Sequence, residues 1–452
     1  MSELPPDNPP DLQDSVEVLE SDVTAPTTDL VRETLFRGGT LSAFGSRDFR
    51  LLWSGALLSN IGTWIQTTAL LWYVFNQTHS NGWVSVVNLA SFAPILLFVI
   101  YAGSLADRVD RKKLIILTQA VMMFAALGLA VVTSLGQRSL AWIIVLTVIN
   151  GVAFVFTFPA WRALVPDLVP PEDLLNGVAL DAAAFNTARF VGPAIAAVII
   201  TSWSVAGAFY VNAVSFLAVI AALLMIRAQP VRATEHAGAA RAHIKEGFVY
   251  LGENVWAIKL LAVLMVSAVF GISLLVLLPA VSKDVLHGGS LLYGFLLGAI
   301  GLGAVVGAPL VTWLNRRLEE RDIIKISLAA FSVFMLVLAL SRNRGLSLAM
   351  TFSIGVTFLM VSASMNTVLQ SRVERNMRGR IMSFYILVFQ GTSPLGGLLL
   401  GYIADKTSTP FAIGLGAAVC IVLSAVIIVF PSVLRDAVST GGTPAEAGAV
   451  SR

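Results

Sequence analysis

Charged residues are scarce in this chain. Asp, Glu, Lys and Arg make up 13% of its 452 residues, whereas soluble domains average about 25%. Hydrophobic residues make up 56%, and the mean hydropathy is +0.81. So few polar side chains could not cover so large an apolar surface in water. The composition therefore excludes a water-soluble globular protein and predicts a polytopic membrane protein.

Cysteine and histidine are also rare, which limits the chemistry open to the chain. Cys420 is the only cysteine, so an intrachain disulfide and a metal site of the CxxC type are excluded. All four histidines fall in predicted loops, and no cluster of His, Cys, Asp or Glu falls at membrane depth. We predict no metal, no cofactor, no nucleic-acid partner and no enzymatic activity. The pattern GxxxxGK[ST] is missing too, which argues against an ATP-driven pump.

Long hydrophobic runs, in contrast, are abundant. About 20 apolar residues are enough to cross the hydrocarbon core of a bilayer, and turn residues separate twelve such runs. We predict an all-α membrane protein with twelve transmembrane helices in two halves of six, embedded in a lipid bilayer. The predicted spans are 50–75, 82–106, 114–135, 141–163, 175–202, 205–226, 257–282, 291–314, 323–341, 346–370, 380–404 and 410–431.

The basic residues of the loops indicate how the chain is oriented, because clustered Lys and Arg resist translocation. With both termini in the cytoplasm, the cytoplasmic loops hold 17 Lys and Arg residues and the opposite loops hold five. We therefore predict cytoplasmic termini and a multi-pass protein of the inner (cytoplasmic) cell membrane.

The longest predicted inter-helix segment divides the chain. We predict an N-terminal six-helix half at 45–227, a cytosolic linker at 228–256 and a C-terminal six-helix half at 257–431. Residues 1–44 are acidic and rich in Pro, Ser and Thr, and cannot bury enough apolar surface to fold, so they are predicted to form a disordered cytosolic tail. Residues 432–452 are predicted to form a second disordered tail.

Part of the linker has helical periodicity. Ile244, Phe248 and Leu251 have helical spacing, and charged residues lie between them. This pattern is typical of an amphipathic helix that lies on the inner membrane surface. A solvated linker with incidental periodicity is the alternative.

The segment Gly103 to Lys113, between the second and third spans, reads G-S-L-A-D-R-V-D-R-K-K. Its glycine, acidic and basic positions resemble the signature loop of the major facilitator superfamily (MFS) of transporters. Further segments resemble the branch that contains the enterobactin exporter and macrolide-efflux proteins, and the resemblance covers residues 44–431. These segments are Phe158 to Pro166, Arg189 to Pro193, Lys245 to Phe248 and Arg378 to Ser383.

The resemblance implies the MFS fold and secondary active transport by alternating access. In the signature loop, Gly103 would allow close helix packing. Asp107, Arg108 and Arg111 would form a breakable charge latch that holds helix two against helix eleven in the outward-facing state. The alternative is that these charges only fix the topology. Asp110 departs from the signature, which most often has Gly at that position.

The two halves of the chain echo each other at an offset of about 200 residues, as expected of a repeat-based transporter. Gly192 and Pro193 in the fifth span correspond to Ser393 and Pro394 in the eleventh. The second-half copy of the signature loop begins at Gly307, and it has no acid that matches Asp107.

Glycines are concentrated in the eighth and eleventh spans, where small residues allow tight helix contact in lipid. We predict that they line a sliding contact between the halves, with static packing as the alternative. They are Gly294, Gly298, Gly301, Gly303 and Gly307, and then Gly396, Gly397 and Gly401.

Arg189 lies about midway through the fifth span. An arginine there costs roughly 2.5–3.5 kcal/mol on insertion scales, so it should face protein or a water-filled cavity. Asp181 lies eight residues earlier, or about 12 Å along the helix, and is a poor partner. We predict that Arg189 binds an anionic or hydrogen-bond-accepting substrate, or takes part in gating. A structural role, in which it binds carbonyls of other helices, is the alternative.

Other polar and aromatic side chains are candidates to line a central cavity with Arg189. Asn60, Trp64 and Thr67 share one face of the first span, and the remaining candidates lie in the fifth and eleventh spans. Polar side chains also join membrane helices to one another, which is the alternative for each. The remaining candidates are Asn186, Tyr385, Phe389 and Gln390.

We predict an MFS exporter of a small organic molecule, siderophore-like or otherwise partly hydrophobic and anionic, that works as a monomer. Multidrug or macrolide efflux is the first alternative, and a non-transporting membrane sensor or scaffold is the second. Acids are missing from the predicted membrane interior, where proton relays usually lie. A coupling proton would need a rim acid such as Asp181 or Asp405; otherwise transport is driven in another way.

Overall fold

The computed structural model describes residues 41–136, 139–227, 239–375 and 377–430, and this part of the chain is helical without strands. Most of the predicted tail 1–44 and all of the predicted tail 432–452 lie outside the described residues. After a 3-10 turn at Ser42–Gly45, the first half consists of α1 (Arg47–Thr78), α2 (Asn81–Arg108), α3 (Arg111–Ser134), α4 (Leu140–Asp167), α5 (Leu174–Ser202) and α6 (Val205–Met225).

The second half follows the linker helix α7 (Ala239–Glu253), which covers the stretch with amphipathic periodicity. The seventh predicted span begins as α8 (Val255–Phe270) and continues as a 3-10 segment, a single α turn and a π turn that ends at Val285. The remaining helices are α9 (Ser290–Leu314), α10 (Glu320–Leu340), α11 (Arg344–Arg372), α12 (Arg378–Gly391), α13 (Ser393–Lys406) and α14 (Thr409–Val429).

Eleven segments of the described chain are long and apolar enough to cross a membrane, which confirms an all-helical membrane fold. Helix α1, which covers the first predicted span, is not among the eleven. It is 32 residues long, but polar side chains such as Asn60 and Gln66 lie along it and lower its hydropathy. The count of twelve spans therefore depends on α1.

Serine and asparagine side chains fix the starts of several helices, as expected of N-cap residues. Each accepts a hydrogen bond from the backbone N–H three residues later. These N-caps are Ser46 of α1, Ser80 of α2, Ser204 of α6, Asn343 of α11 and Ser408 of α14.

Two predicted spans are broken near their middle. The helix of the seventh span stops at Gly271, where a side chain would lie 2.6 Å from the Phe331 ring. The eleventh span stops at Thr392 and restarts as α13 with Pro394 in its first turn. The Ser273 hydroxyl donates to the Ser393 carbonyl at 2.8 Å, so a hydrogen bond links the two helix breaks. The corresponding Pro193 lies inside α5, which stays continuous.

The two halves meet along two pairs of antiparallel helices. Helix α2 packs against α13, and α5 packs against α9. Within the first half α1 packs on α5 and α6, and within the second half α9 packs on α11. We call the two contacts between halves the α2–α13 seam and the α5–α9 seam.

Candidate functional site

The helices run alternately up and down, so the bundle has two ends, which we name after an aspartate at each. The Asp107 end contains the α2–α3 turn, and the Asp405 end contains the α1–α2 turn and the C-terminus of α13. Because the halves touch differently at these ends, each end is described in turn.

At the Asp405 end, a carboxylate closes the α2–α13 seam. The backbone N–H groups of Asn81 and Gly82 donate to the Asp405 carboxylate at 2.7 and 3.0 Å, and the Ser80 hydroxyl donates to it as well. One turn deeper, the buried Ser85 hydroxyl donates to the Gly397 carbonyl at 2.7 Å. The start of α2 is thus bonded directly to the end of α13.

Small residues close the α5–α9 seam. A methyl group at Gly301 would lie 2.8 Å from Phe190 Cα, and one at Gly294 would lie 2.6 Å from the Pro193 carbonyl oxygen. At the outer edge of this seam, the hydroxyls of Thr201 and Ser290 are 3.1 Å apart. The backbones of the two halves therefore approach closely from this edge to the level of Phe190.

The glycines of the eighth span do not all lie in that seam. Gly303 and Gly307 face α11, where a methyl group at either would lie within 3 Å of the backbone of Val356. Likewise Gly396 faces α8 and not α2. Static packing within the second half therefore explains these three glycines, and the prediction of a sliding contact applies only to the others.

A third contact joins α1 to the second half at the Asp405 end. The Lys283 ammonium donates to Asn76 Oδ1 at 2.5 Å. Deeper in the bundle, Trp72 stacks on the fully buried Tyr293 with ring centroids 5.7 Å apart. These contacts complete the closure of the Asp405 end.

At the Asp107 end, the end of α2 is not in close contact with the start of α12. A methyl group at Gly103, or at Gly379 near the start of α12, would meet no atom within 4 Å. The α2 side chains Leu97 and Tyr101 are both 66% exposed. The halves are therefore in close contact at the Asp405 end, whereas the last turns of α2 and the start of α12 are separated, and we call the space between them at the Asp107 end the cleft.

Arg189 lies where the α5–α9 seam stops. A methyl group at Gly301 would lie 3.1 Å from the Arg189 carbonyl oxygen, and this is the last glycine contact of the seam. The Arg189 guanidinium lies over the Trp64 ring at 5.8 Å from its centroid, and Trp64 in turn meets Phe185 edge-on at 6.2 Å. Among the described residues, no side-chain carboxylate pairs with this cation.

Asp181 is held elsewhere. The Trp161 indole N–H donates to Asp181 Oδ1 at 3.0 Å. This bond ties the inner part of α5 to α4. It leaves the guanidinium of Arg189 without a carboxylate partner on its own helix.

Gly192 and Pro193 place Arg189 between two helices. A methyl group at Gly192 would collide with Trp64 Cβ and would lie 3.2 Å from the Ile61 carbonyl oxygen. Gly192 thus allows α1 to approach α5 at Trp64, while the Pro193 carbonyl touches α9 at Gly294. Both residues allow close packing of helices, and they affect the site only by positioning Arg189.

The other candidates on α1 and α5 lie near Arg189 in sequence and keep part of their surface free. Asn60, Trp64 and Thr67 are half-buried, and Asn186 is exposed. The Thr67 hydroxyl and the Asn186 amide donate to carbonyls one turn back on their own helices. The lone pairs of these groups remain available to a ligand.

The candidates on α12 have a different environment. Tyr385 is only 8% exposed, and its hydroxyl donates to the Ser362 carbonyl of α11 at 3.0 Å. Tyr385 stacks on Phe389, which stacks on Phe358 at 5.8 Å. These rings anchor α12 to α11. Phe389 and Gln390 are half-buried.

The signature loop forms bonds within its own half. Arg111 donates to Asp167 at 2.8 Å, and Asp110 caps α3 by accepting from the Lys113 N–H at 3.1 Å. Arg108 is exposed, and the Asp107 side chain lies outside what the structure describes. Asp110, the departure from the signature, is thus an N-cap residue.

The linker helix α7 docks on α12. Glu246 pairs with Arg380, and the rings of Phe248 and Phe384 meet edge-on at 4.8 Å. Burial and the nearby Glu374 carboxylate raise the pKa of Tyr250 on this helix, because both disfavour the phenolate. In the described ranges, no group of three or more His, Cys, Asp or Glu side chains is placed to hold a metal.

A family model described as a transmembrane secretion effector, of the MFS type, matches residues 38–444. The chain belongs to this family. The MFS resemblance of the signature loop and the expectation of a membrane transporter are thereby confirmed.

Curated relatives include both siderophore and drug transporters. The chain is 23% identical to the staphyloferrin A transporter of Staphylococcus aureus, over 79% of this chain and 89% of that protein. It is 22% identical to macrolide efflux protein A of Streptococcus pyogenes, with the same coverage. It is 25% identical to the multidrug efflux pump Tap of Mycobacterium tuberculosis, over 85% and 94%.

Solved structures share the fold at low sequence identity. The nucleoside transporter NupG superposes with a TM-score of 0.71 at 12% identity, over 85% of this chain and 98% of that one. A bacterial homologue of the lysosomal transporter Spinster, solved in an inward-facing unoccupied conformation, gives 0.65 at 15% identity, over 87% and 99%. These similarities show that the chain shares the fold of these structures.

Proposed function

We propose that this protein exports a partly hydrophobic, anionic small molecule across the inner (cytoplasmic) membrane by alternating access. The observation that carries the proposal is Arg189, a cation without a carboxylate partner among the described residues, at the closed end of an open cleft. In this proposal α1 is the twelfth span and the protein works as a monomer.

The orientation follows from the loops. Clustered cations favour the cytoplasm, and Arg108, Lys112, Lys113, Arg316 and Arg317 all lie at the Asp107 end. Both termini and the mouth of the cleft are then cytoplasmic. The cargo enters from the cell interior, as an exporter requires.

The chemistry of Arg189 sets the charge of the cargo. Its planar guanidinium can form two parallel hydrogen bonds to a carboxylate or phosphate. Half-buried at mid-membrane, it gains most from an anion that enters the cleft, because water is scarce there. Trp64 and Phe389 offer apolar faces to the rest of the cargo, and Asn60, Thr67, Asn186 and Gln390 offer polar contacts. A siderophore-like carboxylate has this combination.

Closure of the cytoplasmic side uses the signature loop in this proposal. Gly103 has open space around it in the present conformation, and the resemblance assigns Gly103, Asp107, Arg108 and Arg111 to a latch in the opposite one. For Arg111 to take part, its bond to Asp167 must break.

A coupling proton, if one is used, fits Asp181 better than Asp405. Asp181 lies on α5 with Arg189, about 12 Å away along the helix, and its carboxylate accepts from the Trp161 indole N–H. Asp405 is engaged by three donors far from the cleft.

Multidrug or macrolide efflux is the second candidate. The aromatic surface formed by Trp64 and Phe185 favours it, because rings bind varied apolar cargo without fixed hydrogen bonds. In that case resistance to neutral and cationic drugs would survive Arg189→Ala.

The test is comparative metabolite profiling of a deletion strain complemented with wild type, Arg189→Ala or Arg189→Lys. We expect an anionic compound to accumulate inside the deletion and Arg189→Ala strains and to fall outside them, with partial recovery in Arg189→Lys. Unchanged profiles and unchanged drug resistance after deletion would overturn the export proposal and favour a sensor or scaffold.

A further inference from the structure

The last turns of α2 and α13 have the same sequence pattern. Residues Gly103 to Arg108 read G-S-L-A-D-R, and residues Gly401 to Lys406 read G-Y-I-A-D-K. In both, a glycine is followed by any residue, an aliphatic residue, alanine, aspartate and a cation. The two helices are antiparallel neighbours, so the pattern occurs once at each end of the same seam.

At the Asp405 end, the structure shows what the aspartate of this pattern does. Its carboxylate accepts from Asn81 N–H, Gly82 N–H and the Ser80 hydroxyl, which are the first donors of α2. A carboxylate is stabilised there because the unpaired N–H groups and the helix dipole both favour negative charge. Asp405 therefore binds one half of the protein to the other through a helix N-terminus.

Glycines at both sides make room for this contact. A methyl group at Gly82 would lie 2.9 Å from Asp405 Oδ2, and one at Gly401 would lie 2.7 Å from the Asn81 carbonyl oxygen. The cation of the pattern, Lys406, lies over the Tyr402 ring at 5.9 Å. It does not compete for the carboxylate.

At the opposite end, the matching helix N-terminus is that of α12. Helix α12 begins the span that α13 ends, and the side chain of its N-cap residue Met377 does not cap the helix backbone. The pattern glycine Gly103, like Gly379 in the first turn of α12, has open space around it. The α2 turn that carries Asp107 is thus not in close contact with the first turn of α12.

The α5–α9 seam has no such pattern. Helix α5 ends I-I-T-S and α9 ends V-T-W-L, without an acid in either last turn. The position that corresponds to the Asp405 contact is held by the neutral Thr201–Ser290 pair. The paired aspartates are therefore specific to one seam.

We propose that Asp405 is a second latch, which holds the Asp405 end closed and alternates with Asp107. When one end opens, a carboxylate leaves a helix N-terminus at that end, and an equivalent contact forms at the other. The exchange keeps the free energies of the two conformations close, so cargo can shift the balance. This inference rests on the alternating access of the proposed function but not on the identity of the cargo.

The test measures the separation at the Asp405 end by electron–electron spin resonance, without transport. Spin labels at Gln77→Cys and Thr407→Cys, both exposed at this end, are placed in full-length protein in nanodiscs with Cys420→Ala. We expect Asp405→Asn to raise the ratio of open to closed distances about tenfold, a typical effect of one charge–helix contact. Asp107→Asn should shift the ratio in the opposite direction.

Two further variants make the test decisive. Gly82→Ala keeps every charge but pushes the carboxylate away, so it should shift the ratio in the same direction as Asp405→Asn. Asp284→Asn removes an exposed acid at the same end and should change nothing. Unchanged distances in both Asp405→Asn and Gly82→Ala would overturn the second latch. Export could then still be intact, since metabolite profiling reports on Arg189 independently.

Discussion

The two seams between the halves are built on different physical principles. The α2–α13 seam is closed by a carboxylate on helix N–H groups, whereas the α5–α9 seam is closed by backbone contact at glycines. A hydrogen-bonded contact of this kind can break and re-form as a unit, because water can bond to each donor and acceptor once the contact has opened. Close packing without polar bonds suits a surface along which helices tilt. We therefore propose that the α2–α13 seam is the latch and the α5–α9 seam is the pivot of alternating access.

The largest effect on stability is expected from a substitution in the α5–α9 seam. Gly301→Ala should destabilise the closed Asp405 end by about 1–3 kcal/mol, because the added methyl group meets the Phe190 backbone, which cannot move aside cheaply. Thermal unfolding in detergent, together with spin-label distances across α5 and α9, checks this.

Gly298→Ala is the matched control on the same face of α9. Its methyl group would find its nearest atoms at 3.7 and 4.0 Å, which is ordinary contact. We expect wild-type stability and distances. Equal damage from both substitutions would mean that helix flexibility, and not close approach, explains the glycines.

A smaller effect should come from the deeper bond of the latch seam. Ser85→Ala removes the hydroxyl that donates to the Gly397 carbonyl of the other half, which should cost about 0.5–1.5 kcal/mol. The melting temperature should fall. Ser91→Ala removes a hydroxyl that bonds only within α2, so a drop of the same size in this variant would contradict a role for Ser85 between the halves.

The smallest effect should come from the polar edge of the pivot. Thr201→Val removes the exposed hydroxyl that meets Ser290, and exposed substitutions usually change stability by less than about 0.5 kcal/mol. Transport and melting temperature should match those of Ser202→Ala, an exposed hydroxyl with a bond inside its own helix. A large loss in Thr201→Val would show that this seam is also held by polar bonds.

The sequence was sufficient to predict most helices, because apolar runs and turn residues mark them directly. The predicted span 205–226 and helix Val205–Met225 are an example. The break at Gly271 was missed, since one glycine in an apolar run does not distinguish a break from packing. The sequence also does not show which neighbouring helix a glycine approaches. Gly303 and Gly307 approach α11, and the prediction that they lie between the halves is wrong.

The site was predictable in part. The depth of Arg189 in an apolar run marked it as unusual, and the structure adds its contact with Trp64 and its place at the end of the pivot. The packing of Tyr385 against α11 depends on side-chain direction and could not be predicted from spacing. The sequence marks Asp405 only as a rim acid, because its bonds to the start of α2 depend on a helix pairing that spacing does not predict.

The central claim is that an anion binds Arg189 at the closed end of the cleft. It is tested most directly by uptake into inside-out membrane vesicles of the compound that metabolite profiling identifies. We predict uptake by wild type, uptake reduced at least about tenfold in Arg189→Ala, as for loss of one charge-assisted bond, and partial recovery in Arg189→Lys. Wild-type uptake of an anionic compound by Arg189→Ala vesicles would contradict the account.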